Sequence, residues 1–167
     1  MKTLYLMRHA KSSWNFDELS DQERPLNDRG RQDAPHMGQA LARRGIRLDR
    51  LVSSPAVRAL STAALVAREI NYPTADIVVE PAIYQAACAT IVQLIQQQPD
   101  AADAVLLTGH NPTFTDVANY YLGSSPLSGE MPTAAVVCLR FGVARWADAS
   151  PENAEFYFYD YPKNAAG

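Results

Sequence analysis

The sequence has no apolar run that approaches the roughly 20 residues needed to cross a bilayer. Its first residues, Met1-Lys2-Thr3-Leu4, lead directly into a strand-like stretch. They lack the apolar segment and the cleavage site of a secretory signal peptide. We therefore expect a cytoplasmic protein without a membrane partner.

An excess of basic residues is also missing, since the formal net charge is −3. This balance gives no electrostatic footprint for nucleic acid, so we predict no nucleic-acid partner. The two cysteines, Cys88 and Cys138, are far apart and flanked by small apolar residues, which predicts buried thiols and not a disulfide or metal ligands. Because HExxH and Cys-His patterns are absent too, we predict neither a metal nor a cofactor.

What the sequence does have is the composition of a globular domain, with 167 residues of which 47% are hydrophobic and 20% charged. We predict one domain over residues 1–167, with loops at 12–24 and 123–132. Strand and helix patterns alternate, which predicts an α/β fold, a three-layer α/β/α sandwich with a mostly parallel central sheet and an antiparallel edge. The predicted strands lie near 3–8, 49–53, 76–80, 103–108, 134–141 and 154–160, and the predicted helices at 27–44, 55–70, 86–98 and 112–122.

Two of the predicted strands end in a histidine. Residues 3–7 run into Arg8-His9, and residues 104–107 run into Thr108-Gly109-His110. Because ligands bind beyond the carboxyl ends of the strands in open α/β sheets, we expect Arg8, His9 and His110 at one edge of the sheet. Taken singly, Arg8 and His9 also fit an ordinary basic loop, and His110 fits a turn.

A third segment places a cation at the start of a helix. After a strand-like beginning, Ser53-Ser54-Pro55 forms a turn, with Ser54 suited to the N-cap and Pro55 to the first helical position. Arg58 then falls in the first helical turn. A helix N-terminus attracts anions, and a guanidinium adds a forked donor, so the segment predicts a phosphate site.

Four motifs in this order resemble the histidine phosphatase superfamily of phosphoglycerate-mutase-like fold, in its SixA-like protein-phosphohistidine phosphatase branch. The motifs are residues 6–10, 24–30, 53–59 and 109–112. The resemblance implies that His9 accepts phosphate, that Arg8 and Arg58 bind its oxygens, and that His110 stabilises the transferring group. Arg24 either helps to bind phosphate or anchors the loop. The third histidine, His36, matches no motif and is predicted to be a surface or packing residue.

The residue types suggest a mechanism on their own. A phosphoryl group needs several fixed cationic donors and an in-line nucleophile, which Arg8, Arg58, His110 and His9 supply. Charges of neighbouring arginines should lower the pKa of His9 and favour the neutral imidazole that can attack phosphorus.

The sequence departs from sugar-phosphate members of the family at the general acid. Gln85 stands where they carry a glutamate. An alkoxide leaving group needs a proton, whereas a phosphohistidine protonated on its other ring nitrogen releases neutral imidazole. Glu80 and Asp21 remain candidate proton donors, as do other acids of the first loop, Asp17, Glu18 and Glu23.

The sequence therefore predicts a phosphohistidine phosphatase that acts through a covalent phosphohistidine intermediate. Its partner would be a phosphorylated protein, such as a phosphorelay domain, or a small phosphorylated substrate. One alternative is a broad-specificity phosphatase for small phosphate esters or nucleotides. Another is a non-catalytic module that binds a phosphorylated ligand.

Overall fold

The fold is organised around a six-stranded mixed sheet. The computed structural model describes residues 1–123, 127 and 129–165. The strands follow one another across the sheet in the order β3-β2-β4-β1-β5-β6, with β1 to β4 parallel, β5 antiparallel to β1, and β6 antiparallel to β5. They are β1 (Lys2–Arg8), β2 (Arg50–Ser53), β3 (Val78–Val79), β4 (Ala104–Gly109), β5 (Val136–Phe141) and β6 (Ala154–Asp160).

Helices cover both faces of this sheet. Because side chains alternate along a strand, Leu4 and Leu6 enter one apolar core, whereas Tyr5 and Met7 enter the other. Two helices pack together on each side, α3 and α4 over the first core and α1 and α2 over the second. The predicted three-layer α/β/α fold with an antiparallel edge is thereby confirmed. The helices are α1 (Asp28–Arg43), α2 (Val57–Glu69), α3 (Cys88–Gln96) and α4 (Thr113–Leu122).

The predicted start of α1 is correct and that of α2 is wrong. Asn27 is the N-cap of α1, and its side chain accepts a hydrogen bond from the amide of Gly30. In contrast, α2 begins at Val57 with Ala56 at the N-cap and no side-chain cap. The Ser54 hydroxyl accepts a hydrogen bond from the amide of Ala56 and lies 2.7 Å from His110, so it serves the turn and the site instead.

The predictions for the cysteines, for His36 and for the two loops agree with the structure only in part. Cys138 is buried, but Cys88 is only half-buried, and both are free thiols. His36 is half-buried, with Nε2 3.3 Å from the carbonyl of Pro162, which agrees with a packing role. The first predicted loop contains a short 3₁₀ turn at Asp21–Glu23. The second, 123–132, lies partly outside the described residues.

No helix in the described part of the chain is both long and apolar enough to span a membrane.

Candidate active site

The carboxyl ends of β1 and β4 bring two histidines together. Arg8 is in register with Gly109, and the amide of His9 donates a hydrogen bond of 3.0 Å to the carbonyl of Gly109. The ring centroids of His9 and His110 are consequently 5.3 Å apart. Arg58, the second residue of α2, reaches the same place. A pocket of about 590 Å³ is lined by all four predicted residues and by Arg24.

His9 is held in one tautomer by the backbone. Its Nδ1 lies 2.7 Å from the carbonyl oxygen of Ala10. Because a carbonyl oxygen only accepts hydrogen bonds, Nδ1 carries the proton, and Nε2 keeps its lone pair. The amide of Ala10 in turn donates to Thr62, whose hydroxyl donates to the carbonyl of Arg58 in α2. His9 and Arg58 are therefore joined through one hydrogen-bonded path.

The imidazole of His9 is neutral near pH 7. Its pKa is lowered to about 3. Burial is the largest cause, the hydrogen bond to Ala10 opposes the shift, and the charges of His110, Arg58 and Arg8 add to it. The direction expected from the sequence is correct, but burial, not the arginine charge, is the largest cause. Burial, followed by the charge of Arg58, also lowers the pKa of His110 to about 4.

These two rings should make the protein sensitive to acid. In the unfolded chain both histidines take up a proton near the ordinary pKa of 6.5, whereas the folded protein keeps them neutral down to about pH 4 and about pH 3. The unfolded state binds more protons in this window, so the free energy of unfolding should fall as the pH falls below 6.5.

Urea unfolding at about pH 7 and about pH 5 measures this effect above the range in which carboxylates titrate. We expect lower stability at the lower pH, and a smaller loss in His110→Gln than in the wild type. Equal pH dependence of the two proteins would contradict the assignment.

The two flanking guanidiniums retain unused donors. Nη1 of Arg8 donates to the carbonyl of Met131, and no carboxylate of the described residues forms an ion pair with Arg8. The terminal nitrogens of Arg58 donate to the backbone oxygen and to Oδ2 of Asp21, at 2.5 and 2.9 Å. In the described structure, the buried Nε of each arginine lacks a hydrogen-bond partner. Such a cationic, incompletely satisfied site favours an oxyanion.

Arg24 anchors the first loop at the edge of the pocket. Its Nη1 donates to the hydroxyl of Ser12 and to the carbonyl of Ser13, and its Nε pairs with Asp21 at 3.1 Å. The guanidinium carbon lies 3.5 Å from the ring centroid of Trp14. Of the two predicted roles, loop anchoring is the one that these contacts describe.

The candidate proton donors are placed differently from one another. Glu80 accepts a hydrogen bond from the amide of Ala82 and caps the turn at Pro81–Ile83, and it is not among the described lining residues. Asp21 does line the pocket, but hydrogen bonds from Tyr84 and then from Arg58 lower its pKa to about 2. Among the described lining residues Asp21 is the only acid, and it is ionised. Asp17, Glu18 and Glu23 lie outside the lining.

Two contributors were missed by the sequence interpretation. Ser54 lies 2.7 Å from Nε2 of His110, whereas the sequence predicts it only as a helix N-cap. Tyr84 meets the His110 ring edge-on, with centroids 5.6 Å apart, and its hydroxyl donates to Asp21. Ser54 lies within the motif at residues 53–59, so its polar side chain in that motif was the sequence feature that could have indicated a role in the site. Tyr84 adjoins Gln85, which also lines the pocket, but it carries no signal of its own.

Among the described residues, no group of three or more histidine, cysteine or acidic side chains is arranged to hold a metal ion.

The architecture and the site agree with one known family. The model of the histidine phosphatase superfamily (branch 1) matches residues 4–86, and the chain belongs to this superfamily. The fold is similar to that of a candidate phosphohistidine phosphatase, SixA, from Agrobacterium tumefaciens, with a TM-score of 0.83 and 28% identity over 96% of this chain and 98% of that one. The predicted SixA-like resemblance is confirmed.

Other relatives extend the comparison. A protein histidine phosphatase SixA in complex with tungstate shares the fold, with a TM-score of 0.82 and 21% identity over 98% of this chain and 99% of that one. An uncharacterised protein of Mycobacterium tuberculosis is 29% identical over 165 residues, which are 94% of this chain and all of that one. Family membership and these structural likenesses together make this chain a phosphatase of the histidine phosphatase superfamily.

Proposed function

We propose that this protein removes the phosphoryl group from a phosphohistidine side chain of another protein, through a phosphohistidine intermediate on His9. One observation carries the proposal. The pocket combines a neutral, buried imidazole that has a free lone pair with two arginines, and its one described carboxylate is ionised. The nucleophile and the anion donors are thus present without a carboxylic acid that protonates a leaving group.

Binding of the phosphoryl group falls to Arg8, Arg58 and His110. A transferring phosphoryl group spreads negative charge over three oxygens. The guanidiniums of Arg8 and Arg58 match that charge, and the neutral imidazole of His110 adds a polar contact. Ser54 holds His110 through the contact of 2.7 Å. The donors are therefore fixed before substrate enters.

Transfer exchanges one imidazole for another. The Nε2 lone pair of His9 forms a bond to phosphorus while the bond from phosphorus to the substrate ring nitrogen breaks, and that electron pair returns to the substrate ring. The substrate ring departs as neutral imidazole because its other nitrogen already carries a proton. His9 likewise keeps its proton on Nδ1, in the hydrogen bond to Ala10. Nucleophile and leaving group are the same chemical group, so the step needs no general acid.

Hydrolysis returns the enzyme to its starting state. A water oxygen forms a bond to phosphorus, the bond from phosphorus to Nε2 breaks, and its electrons return to Nε2. Both protons of the water leave with the product as dihydrogen phosphate. His9 is again neutral, as the burial that lowers its pKa requires.

Exposed aromatic side chains beside the pocket support a protein substrate. Trp14 lines the pocket and is 75% exposed, and Phe16, two residues further along the loop, is 44% exposed.

We also propose that residues 1–167 form one domain of this family, because both apolar cores lie against the same sheet.

A comparison of substrates tests the proposal. The values of kcat/KM should be measured for a phosphohistidine-containing phosphorelay domain, an aryl phosphate and a sugar phosphate. General acid catalysis typically contributes about 10²- to 10⁴-fold, so we expect the phosphohistidine to exceed the sugar ester by at least about 10²-fold. A preference for the sugar ester would support the alternative, a phosphatase for small esters. Binding without turnover of any substrate would indicate a non-catalytic module.

A further inference from the structure

We propose that Asp21 is a specificity residue, whose ionised carboxylate accepts a hydrogen bond from the protonated ring of a phosphohistidine and so selects this leaving group over a phosphate ester. The inference rests on the proposed function and assigns a role to the one described carboxylate of the pocket. It reverses the expectation that Asp21 donates a proton.

Asp21 is fixed at the pocket wall by three neighbours. Its Oδ2 accepts hydrogen bonds from Nη2 of Arg58 at 2.9 Å and from the hydroxyl of Tyr84 at 2.6 Å. Its Oδ1 accepts one from Nε of Arg24 at 3.1 Å. The backbone oxygen of Asp21 also accepts from Nη1 of Arg58, so both the main chain and the side chain are tied to α2. The carboxylate therefore has a defined position beside the residue that binds phosphate.

One acceptor position remains open. An ionised carboxylate offers about four lone-pair sites, and the three side-chain bonds leave one of them, on Oδ1. The Asp21 side chain is 47% exposed although its partner Arg58 is buried. A donor on the substrate can therefore reach Asp21 from the open side of the pocket.

The charge of Asp21 discriminates between leaving groups. Since its pKa is held at about 2, it has no proton to give to an alkoxide, and it repels any leaving group that departs as an anion. A phosphohistidine ring protonated at its second nitrogen presents a cationic N–H donor, which an ionised carboxylate binds strongly. The same contact keeps the ring in the protonated form from which neutral imidazole departs.

Asp21→Asn tests the proposal because it keeps the size of the side chain and removes the charge. We expect kcat/KM for the phosphohistidine phosphorelay domain to fall roughly ten- to a hundredfold, the range for loss of a hydrogen bond to a charged group. An aryl phosphate presents no ring N–H donor to Asp21, so its kcat/KM should fall less, and the ratio of the two kcat/KM values should drop. With phosphohistidine, the loss of activity at high pH should also begin at lower pH in the variant, because the substrate ring loses its proton more easily.

Glu23→Gln is the matched control, because Glu23 belongs to the same 3₁₀ turn, its side chain hydrogen-bonds Ser20, and it lies outside the described lining. This variant should leave kcat/KM unchanged for both substrates. If Asp21→Asn fails to fold, the ratio of kcat/KM for phosphohistidine to kcat/KM for the aryl phosphate can be measured in Asp21→Ser instead.

Equal losses on both substrates, or an unchanged ratio, would overturn the role of Asp21 while the protein remained a phosphohistidine phosphatase. A wild-type enzyme inactive on phosphohistidine would overturn the proposed function and this inference together.

Discussion

His9→Ala should abolish turnover of every phosphorylated substrate, with kcat reduced by roughly 10³-fold or more, and should still bind tungstate. Removal of a nucleophile eliminates the covalent route, and what activity remains comes from binding and charge stabilisation alone. Arg8, Arg58 and His110 are intact in this variant, so the anion site persists. Steady-state kinetics and calorimetric titration with tungstate measure the two effects separately.

His36→Ala is the matched control for this variant. His36 is half-buried in α1 and lies outside the described lining of the pocket, so its loss should leave kcat and tungstate affinity unchanged. Undiminished turnover in His9→Ala would refute the covalent mechanism.

Arg58→Ala should weaken both tungstate binding and catalysis, with kcat/KM reduced by roughly 10²- to 10³-fold, the usual loss when one preorganised donor is removed. Two consequences follow from the geometry. The phosphoryl oxygens lose a forked donor, and Asp21 loses its buried cation, so the pKa of Asp21 should rise from about 2 toward its ordinary value. Carboxylate titration followed by NMR reports the second consequence independently of activity.

Arg68→Ala removes the same residue type from an exposed position in the last turn of the same helix and should change neither quantity. Arg58→Lys should recover part of the binding, because it restores the charge but not the fork. Tungstate affinity that is unaltered in Arg58→Ala would remove Arg58 from the anion site.

The sequence predicts the part of the site that depends on strand ends. Arg8, His9 and His110 follow apolar runs, and the adjacency of β1 and β4 in a parallel sheet is enough to bring them together. Arg58 is predicted by its place after a strand and a turn. Each of these residues can be predicted from the sequence because its position is set by the strand or turn that directly precedes it.

The remainder of the site depends on contacts between distant segments. The first loop offers four acids, and only the fold shows that Asp21 meets Tyr84, 63 positions away. The low pKa of His9 was predicted from charge, but its main cause is burial, which a short motif does not reveal. Likewise, the side-chain preference of Ser54 for an N-cap is real, yet its contact with His110 is decided by the approach of β4.

Detection of phosphate on His9 tests the central claim most directly. The protein is mixed with a phosphohistidine substrate carrying labelled phosphate, quenched within one turnover in alkali, and mapped by mass spectrometry. The covalent mechanism predicts label on His9, formed before free phosphate, consumed on further incubation, and absent from His9→Ala. Release of phosphate at the wild-type rate with label on another residue, or with none on the protein, would contradict it.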